Sequence, residues 1–391
     1  MRNIKVIIGA NAGDEGKGLA TDYFASQYEH GLVVMTNGGS QRAHTVELND
    51  GTRHVFQHFG SGTLRGWDTY YSPEFILNPM QFCKEYEELK KITNKKFKIF
   101  CDSNCRWSTP WDMLANQIDS RIESKHNTCG MGIWHTIIRY KYFEYNNLKT
   151  YSLWQFSRLK PQQKLEYIRS IKDYYKNILM TSMYDDSVKD LVSLIDSKGL
   201  LDHFYADVMR MDQIIGAYTM PLYLYDNIIF ENGQGLLIDS EADVLYGTPS
   251  YTGLKIPKAM IWKYFHSDNI EVCYVTRSYL TRHGDGFLQE EVNKDIINPF
   301  MSDQTNYEND FQGSLRFGNL YPNDLINRID KDWANNISLS PFIDFNVYEK
   351  SLMITHLNEC SFPVEEIKNN FANVYLSDTK FSKDIRKCDK G

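Results

Sequence analysis

The sequence predicts an α/β protein built on a large, mostly parallel central sheet flanked by helices. Three observations carry that prediction. Short apolar runs recur along the chain, segments of helical periodicity separate them, and glycine-rich or charged strings stand where the runs end, which is where open parallel sheets bind ligands.

The runs are KVIIGA (Lys5–Ala10), LVVMTN (Leu32–Asn37), NIIFEN (Asn227–Asn232), VCYVT (Val272–Thr276) and SLMITH (Ser351–His356). From about Trp154 to Met211, Leu, Ile and Tyr recur at three- and four-residue intervals, which predicts a helical insertion over 154–211. With no repeat, heptad pattern or low-complexity linker, residues 1–391 read as a single elaborated domain, and 42% hydrophobic composition is enough for a large core. The charged tail KFSKDIRKCDKG is expected to fray.

Composition narrows the function classes. No stretch approaches about eighteen uninterrupted apolar residues and no basic-then-apolar leader opens the chain, so the expectation is a cytoplasmic protein, in the host cytoplasm if viral, with no membrane partner. The formal net charge of −7 argues against direct nucleic-acid binding but permits a local basic pocket for phosphates. Seven cysteines without paired CxxC spacing suggest neither zinc nor a disulfide framework, although Cys101 and Cys105 could share a helical face.

The most informative string is IIGANAGDEGKGL, Ile7–Leu19. Gly9, Gly13, Gly16 and Gly18 let backbone N–H groups approach a phosphate, and Lys17 adds a mobile positive charge. A P-loop requires Ser or Thr after the lysine, where Gly18 stands, and the glycine spacing also fails the dinucleotide pattern.

GDEGKG resembles the N-terminal string of the adenylosuccinate synthetase family, whose members join L-aspartate to the 6-position of a purine nucleotide at the expense of a nucleoside triphosphate. Further strings follow in order. NGGSQRAHT (Asn37–Thr45) resembles the family's GGHNAGHT, SGTL (Ser61–Leu64) its SGIL, and ILNPMQFCKEYEEL (Ile76–Leu89) its LSP-initiated helix. NTCGMGI (Asn127–Ile133), ENGQGLLID (Glu231–Asp239) and TRHGDG (Thr281–Gly286) are similar to TTGRGIG, EGAQG and TRVGxGP.

The resemblance implies roles for individual residues. Asp14 would take the purine N1 proton, His44 would stabilise O6 as it attacks the γ-phosphate, and Lys17 would neutralise the transferred charge. Mg²⁺ would lie between Asp14 and the triphosphate oxygens, with the Ala43 carbonyl completing its site. Gly13, Glu15, Gly16, Gly18, Gln41 and Thr45 belong to the nucleotide-binding strings; Gln234 would read the base through its amide. Thr128, Cys129, Thr248 and Ser250 match groups that cradle the 5′-phosphate, with Cys129 in place of a threonine. Relatives form homodimers in which a neighbouring subunit lends an arginine to that phosphate, and Arg139 stands in the corresponding segment.

Two loops depart from the family pattern. The aspartate-binding loop TTGRRRRTGWLD is shortened to FQGSLRFGNLY (Phe311–Tyr321), containing Gly313, and Arg316 aligns with the arginine that grips the amino-acid carboxylates. Ser314 and Leu315 stand where an arginine reaches the ribose 2′-hydroxyl, which makes a deoxynucleotide plausible. The guanine-reading TKLD appears as THLN, ending at Asn358, and an amide there favours ATP or dATP over GTP. Both changes resemble the phage-type branch that makes N6-succino-2-amino-2′-deoxyadenylate from dGMP; many members of that branch replace the loop aspartate, whereas this chain keeps Asp14 and so resembles a form intermediate between the cellular and phage types. Arg42 stands where relatives have alanine, and phosphate binding and pocket filling weigh equally for it. The expected activity is ligation of L-aspartate to dGMP with ATP or dATP; the alternatives are an ordinary synthetase using IMP and GTP, and a catalytically silent nucleotide-binding homologue.

Overall fold

The structure, a computed structural model, describes residues 2–123, 128–179, 188–219, 221–239, 250–301, 305–306, 313–338 and 344–389. Its centre is a nine-stranded sheet. In chain order the strands are β1 (Asn3–Gly9), β2 (Leu32–Met35), β3 (Asp68–Tyr71), β4 (Ile99–Cys101), β5 (Asn227–Gly235), β6 (Asn269–Arg277), β7 (Val347–Thr355), β8 (Asn373–Leu376) and β9 (Arg386–Lys387). Across the sheet the order is β9-β8-β7-β6-β1-β5-β2-β3-β4, and β8–β9 is the antiparallel pair in an otherwise parallel ladder.

The five apolar runs became β1, β2, β5, β6 and β7, the contiguous middle of the sheet. A parallel strand covered on both faces must be apolar at successive positions. Ile4, Val6 and Ile8 of β1 join one core cluster with helices Lys255–Tyr264 and Pro322–Trp333, whereas Ile7 points into the other with Val33, Met35 and Val275. The strands absent from the sequence reading are β3, β4, β8 and β9, all short and at the sheet's margins.

Residues 153–214 carry the helices Leu153–Ser157, Pro161–Leu179, Lys189–Leu194 and Lys198–Ile214. Ser152 and Gln155 cap the first reciprocally, and Ile168, Ile171 and Tyr175 bury one face of the second. Cys101 and Cys105 do not share a helical face, because Cys101 ends β4 and Cys105 lies in the following loop. Among the described residues no helix is long and apolar enough to cross a membrane.

Parallel strands emerge on one side of a sheet. The exits of β1, β2, β5, β6 and β7 therefore gather the strings that stood out in the sequence.

Candidate active site

Beyond β1 the chain turns through residues 10–16 into the helix Lys17–Ala25. Gly13 (φ 107°), Asp14 (φ 59°) and Gly16 (φ 93°) are all left-handed. For Asp14 that conformation costs about 1–2 kcal/mol, and the surroundings hold it. Arg277, ending β6, donates from Nε to the Asp14 carbonyl at 2.5 Å, while Thr281 Oγ1 donates to the Gly13 carbonyl at 3.2 Å. Backbone strain kept by its neighbours is a mark of a working site.

Glu15 is buried beneath the turn and accepts from Asn11 N (3.0 Å), Gly13 N (2.9 Å) and Lys17 Nζ (2.6 Å). Burial alone would raise its pKa, but the Lys17 charge and the hydrogen bonds outweigh burial and hold the carboxyl below the usual range. Lys17 is thus tethered by an ionised partner. Gly235 closes β5 against this loop, where a Cβ would stand 2.1 Å from the Asn11 carbonyl oxygen and 2.3 Å from Glu15 Oε1. From the other side, Thr355 at the end of β7 donates from Oγ1 to the Glu15 carbonyl at 2.9 Å.

After β2 the chain reaches His44–Glu47, which pairs antiparallel with Arg53–Phe56. Gly18 packs directly on this segment, so close that a Cβ would lie 2.7 Å from the Thr45 carbonyl oxygen. His44 Nδ1 is 2.5 Å from Glu231 Oε1. A carboxylate only accepts, so Nδ1 carries the proton and Nε2, buried and without a partner among the described residues, offers its lone pair. Burial, then the Arg42 charge, pushes the His44 pKa down to about 4. Burial would raise Glu231, but Arg42 and His44 bring it to about 2, so the carboxylate is ionised.

Ser61 donates to the same carboxylate from its backbone N (3.0 Å) and from Oγ (2.5 Å). The chain leading to Ser61 is itself anchored, since Glu85 on helix Pro79–Ile92 accepts from the backbone N–H groups of Gln57, His58 and Phe59. SGTL and the Ile76–Leu89 string therefore reach the site through Glu231 and Glu85.

The other sequence-selected residues fall into groups. Gln41 and Gln234 each have a buried amide oxygen without a partner among the described residues; Ala43 is exposed and Thr45 Oγ1 lies 3.1 Å from Thr305 Oγ1. Thr128 donates to Asn116 Oδ1 at 2.8 Å, and burial pushes the neighbouring Cys129 thiol up to about 11. Ser250 Oγ accepts from Asn37 at 3.4 Å, while Thr248 lies outside the described residues. Asn358 is exposed in the turn after β7.

Arg316 begins the strand Arg316–Gly318. Its guanidinium pairs with both oxygens of Glu291 and donates to the Gly284 and Gly286 carbonyls at 2.8 Å each, while Gly313 just before it has φ 62°. The same 281–286 segment reaches the glycine loop, for His283 Nε2 lies 3.4 Å from Asp14 Oδ2.

Arg139 differs from the expectation of an arginine reaching outward to another subunit's nucleotide. It is fully buried on the inward face of helix Ile133–Tyr145, bound to Asp112 (2.9 and 3.0 Å) and the Trp107 carbonyl (3.0 Å). A guanidinium so placed needs that carboxylate to offset its desolvation.

Sequence reasoning gave no role to Glu231, Ser61, Arg277, His283 or Thr355. Glu231 did carry a signal, being a carboxylate within the apolar run NIIFEN; the others became visible through their spatial contacts. Among the described residues no three His, Cys, Asp or Glu side chains converge to hold a metal. Asp14 is half-buried and Ala43 exposed, and a hard dication that takes a few protein oxygens fills its remaining positions with phosphate and water.

Comparison with known proteins gives consistent relatives. The family model described as adenylosuccinate synthetase matches residues 6–319. Adenylosuccinate synthetase of Crocosphaera subtropica is 27% identical over 308 residues, 76% of this chain and 64% of the relative. That of Thermoplasma volcanium is 26% identical over 307 residues, 74% of this chain and again 64% of the relative. The chain thus spans less than two thirds of the length of these relatives. Among solved structures, fully ligated adenylosuccinate synthetase from Plasmodium falciparum has a TM-score of 0.64 at 16% identity, covering 99% of this chain and 87% of its own. Cyanophage S-2L succinoaminodeoxyadenylate synthetase, bound to dGMP and to dATP as energy donor, has a TM-score of 0.59 at 12% identity, covering 99% and 95%. At those identities the likeness is one of fold.

Proposed function

The chain belongs to the adenylosuccinate synthetase family, and from that premise we propose that it is a ligase joining L-aspartate to C6 of dGMP, with ATP or dATP as phosphoryl donor. The product is N6-succino-2-amino-2′-deoxyadenylate. Asp14 takes the N1 proton, which makes O6 nucleophilic toward the γ-phosphate; the resulting 6-phosphoryl group then leaves as the aspartate amine adds. Lys17 meets the charge of the transferring phosphoryl group. His44, fixed at Nδ1 by Glu231, presents Nε2 to O6, and the negative charge brought by two nucleotides favours the doubly protonated ring that donates there. Held by Asp14, the Ala43 carbonyl and triphosphate oxygens, Mg²⁺ would supply charge neutralisation. Gln234 reads the base, and Thr128, Cys129 and Ser250 face the 5′-phosphate.

The choice of a deoxynucleotide rests on one observation above the others. Ser314 is exposed and Leu315 packs on the Tyr279, Met301 and Phe317 cluster, so neither offers a cationic donor to a ribose 2′-hydroxyl. The neutral, exposed Asn358 supports an adenine donor, and the dGMP and dATP of the cyanophage enzyme are in keeping with both. Arg316 takes the aspartate carboxylates in exchange for Glu291.

A second reading, an ordinary synthetase acting on IMP with GTP, is favoured by the curated relatives and by Asp14, Lys17 and His44 together. Phosphate release with Mg²⁺ and L-aspartate, across dGMP, GMP and IMP each paired with ATP, dATP and GTP, separates the readings when product mass is recorded. Succinylated dGMP formed with an adenine triphosphate supports the first; activity confined to IMP and GTP supports the second. No activity with any pair would leave a nucleotide-binding homologue. The protein is further proposed to work in the cytoplasm as a homodimer. The exposed Trp134, Ile138, Tyr142 and Tyr145, at helical spacing on Ile133–Tyr145, form an apolar stripe suited to such an interface, and light scattering tests it.

A further inference from the structure

Arg42 stands one residue before the exposed Ala43 and two before His44, yet its guanidinium is fully buried. Its NH2 lies 3.1 Å from Glu231 Oε1 and 3.5 Å from the Phe59 carbonyl, and its NH1 lies 3.2 Å from Met35 Sδ. This surrounding of thioether, backbone and carboxylate is no phosphate site. The Glu231 carboxylate that Arg42 touches is the acceptor that orients His44, and Ser61 supplies its remaining donors.

A fully buried carboxylate remains ionised only if positive charge and hydrogen bonds replace its lost hydration. Ser61 supplies hydrogen bonds without charge, and the ring of His44 is neutral in the tautomer that donates from Nδ1. Among the described residues, the full positive charge in direct contact with Glu231 is that of Arg42. We propose that Arg42 is a positioning residue: as the buried counter-cation of Glu231 it fixes the carboxylate that holds His44 with Nδ1 protonated and Nε2 presented to the nucleotide.

The inference rests on the ligase reading for its effect on turnover, but not for its effect on the ring. With Arg42 in place, Glu231 is an anion aimed at one nitrogen, so the two tautomers of His44 are no longer close in energy. Without it the carboxylate gains a proton or turns toward other donors, and His44 loses both its fixed tautomer and its fixed plane. A reacting group held loosely loses turnover more than substrate affinity, because the misplaced contact belongs chiefly to the transition state.

The test uses the full chain labelled with ¹⁵N-histidine, with the His44 resonances identified by their loss in His44→Gln. Wild type should show a protonated Nδ1 and a bare Nε2. Arg42→Met should show a tautomer mixture and a kcat lowered about tenfold or more, with nucleotide KM within about threefold of wild type; Arg42→Lys, which keeps the charge, should recover part of both. Wild-type tautomer and kcat in Arg42→Met would make Arg42 a packing residue and overturn the proposal. If Arg42→Met does not fold, Glu231→Gln with Arg42 intact decides, since unchanged His44 nitrogens there remove the carboxylate from the argument. If wild type ligates no nucleotide pair the ligase reading fails, and the spectra still decide the role of Arg42.

Discussion

The proposed phosphate end of the site and the two loops proposed to read its substrates are built on opposite terms. Around Lys17, His44 and Glu231 the charges are buried and matched to one another, Glu15 to Lys17 and Glu231 to Arg42, with the neutral His44 ring hydrogen-bonded to Glu231. Around Arg316 and Asn358 they stand near water, where Arg316 pairs with the half-exposed Glu291 and Asn358 projects from a turn. A buried ion loses several kcal/mol if its partner goes, whereas an exposed pair is worth little. The inner region therefore resists piecemeal change, and the outer loops are free to alter what the protein recognises. Arg42 is the instructive exception, a departure from the family string that is tolerated inside because Glu231 matches it.

The largest effect should come from removing the proposed base. Asparagine tolerates a left-handed backbone, so Asp14→Asn should fold normally and lower phosphate release by about 10²–10⁴-fold. Equal turnover in that variant would separate the strained loop from the chemistry. Next, Lys17→Met should strand the Glu15 carboxylate and destabilise the fold by about 3–5 kcal/mol in urea unfolding. Arg316→Leu should cost less than about 1 kcal/mol by the same measurement while raising the aspartate KM about tenfold or more. Similar stability losses in the two variants would erase the contrast between the regions.

A smaller effect follows from pH. His58 accepts the Asn78 N–H at Nε2 (2.8 Å), and burial, then the Arg42 charge, pushes its pKa down to about 3. The folded protein thus keeps the ring neutral while the unfolded chain takes up a proton below about pH 6.5. Stability should fall as pH drops from that value toward 3. The His58 share is the difference between wild type and His58→Gln in urea midpoints at successive pH values, and parallel profiles would contradict it. Smallest of all, Ser314→Arg should improve the KM for a ribonucleotide over its deoxy counterpart by a few-fold, since an exposed position adds one hydrogen bond at a time.

The sequence was legible where burial is symmetrical. Strands covered on both faces gave continuous apolar runs, and all five read from the chain are central; β3, with two tyrosines and an aspartate, and the two-residue β9 gave no comparable run. The glycine loop and Lys17 stood out because closely spaced glycines with a lysine suit a phosphate, and His44 because its string resembles a family string. Arg277, Ser61 and Thr355 did not, since ordinary residues become site components only when distant strand ends meet. Arg139 shows the converse: a segment can match in position while helical phase turns its arginine into the core.

The bond from Thr355 to the Glu15 carbonyl makes β7, β6 and β1 a plank with the phosphate loop at one side and the His356–Asn358 turn at the other. The parent strands β1 and β7 stand two interstrand spacings apart, roughly 10 Å, and the Thr355 bond holds loop and turn at a fixed offset across that gap. In the proposed reaction the donor is thus gauged as well as recognised: a triphosphate seated on Lys17 carries its base to a reach set by backbone pairing. Such a gauge keeps its length when its tip is exchanged, so the donor base could change from guanine to adenine without moving the γ-phosphate.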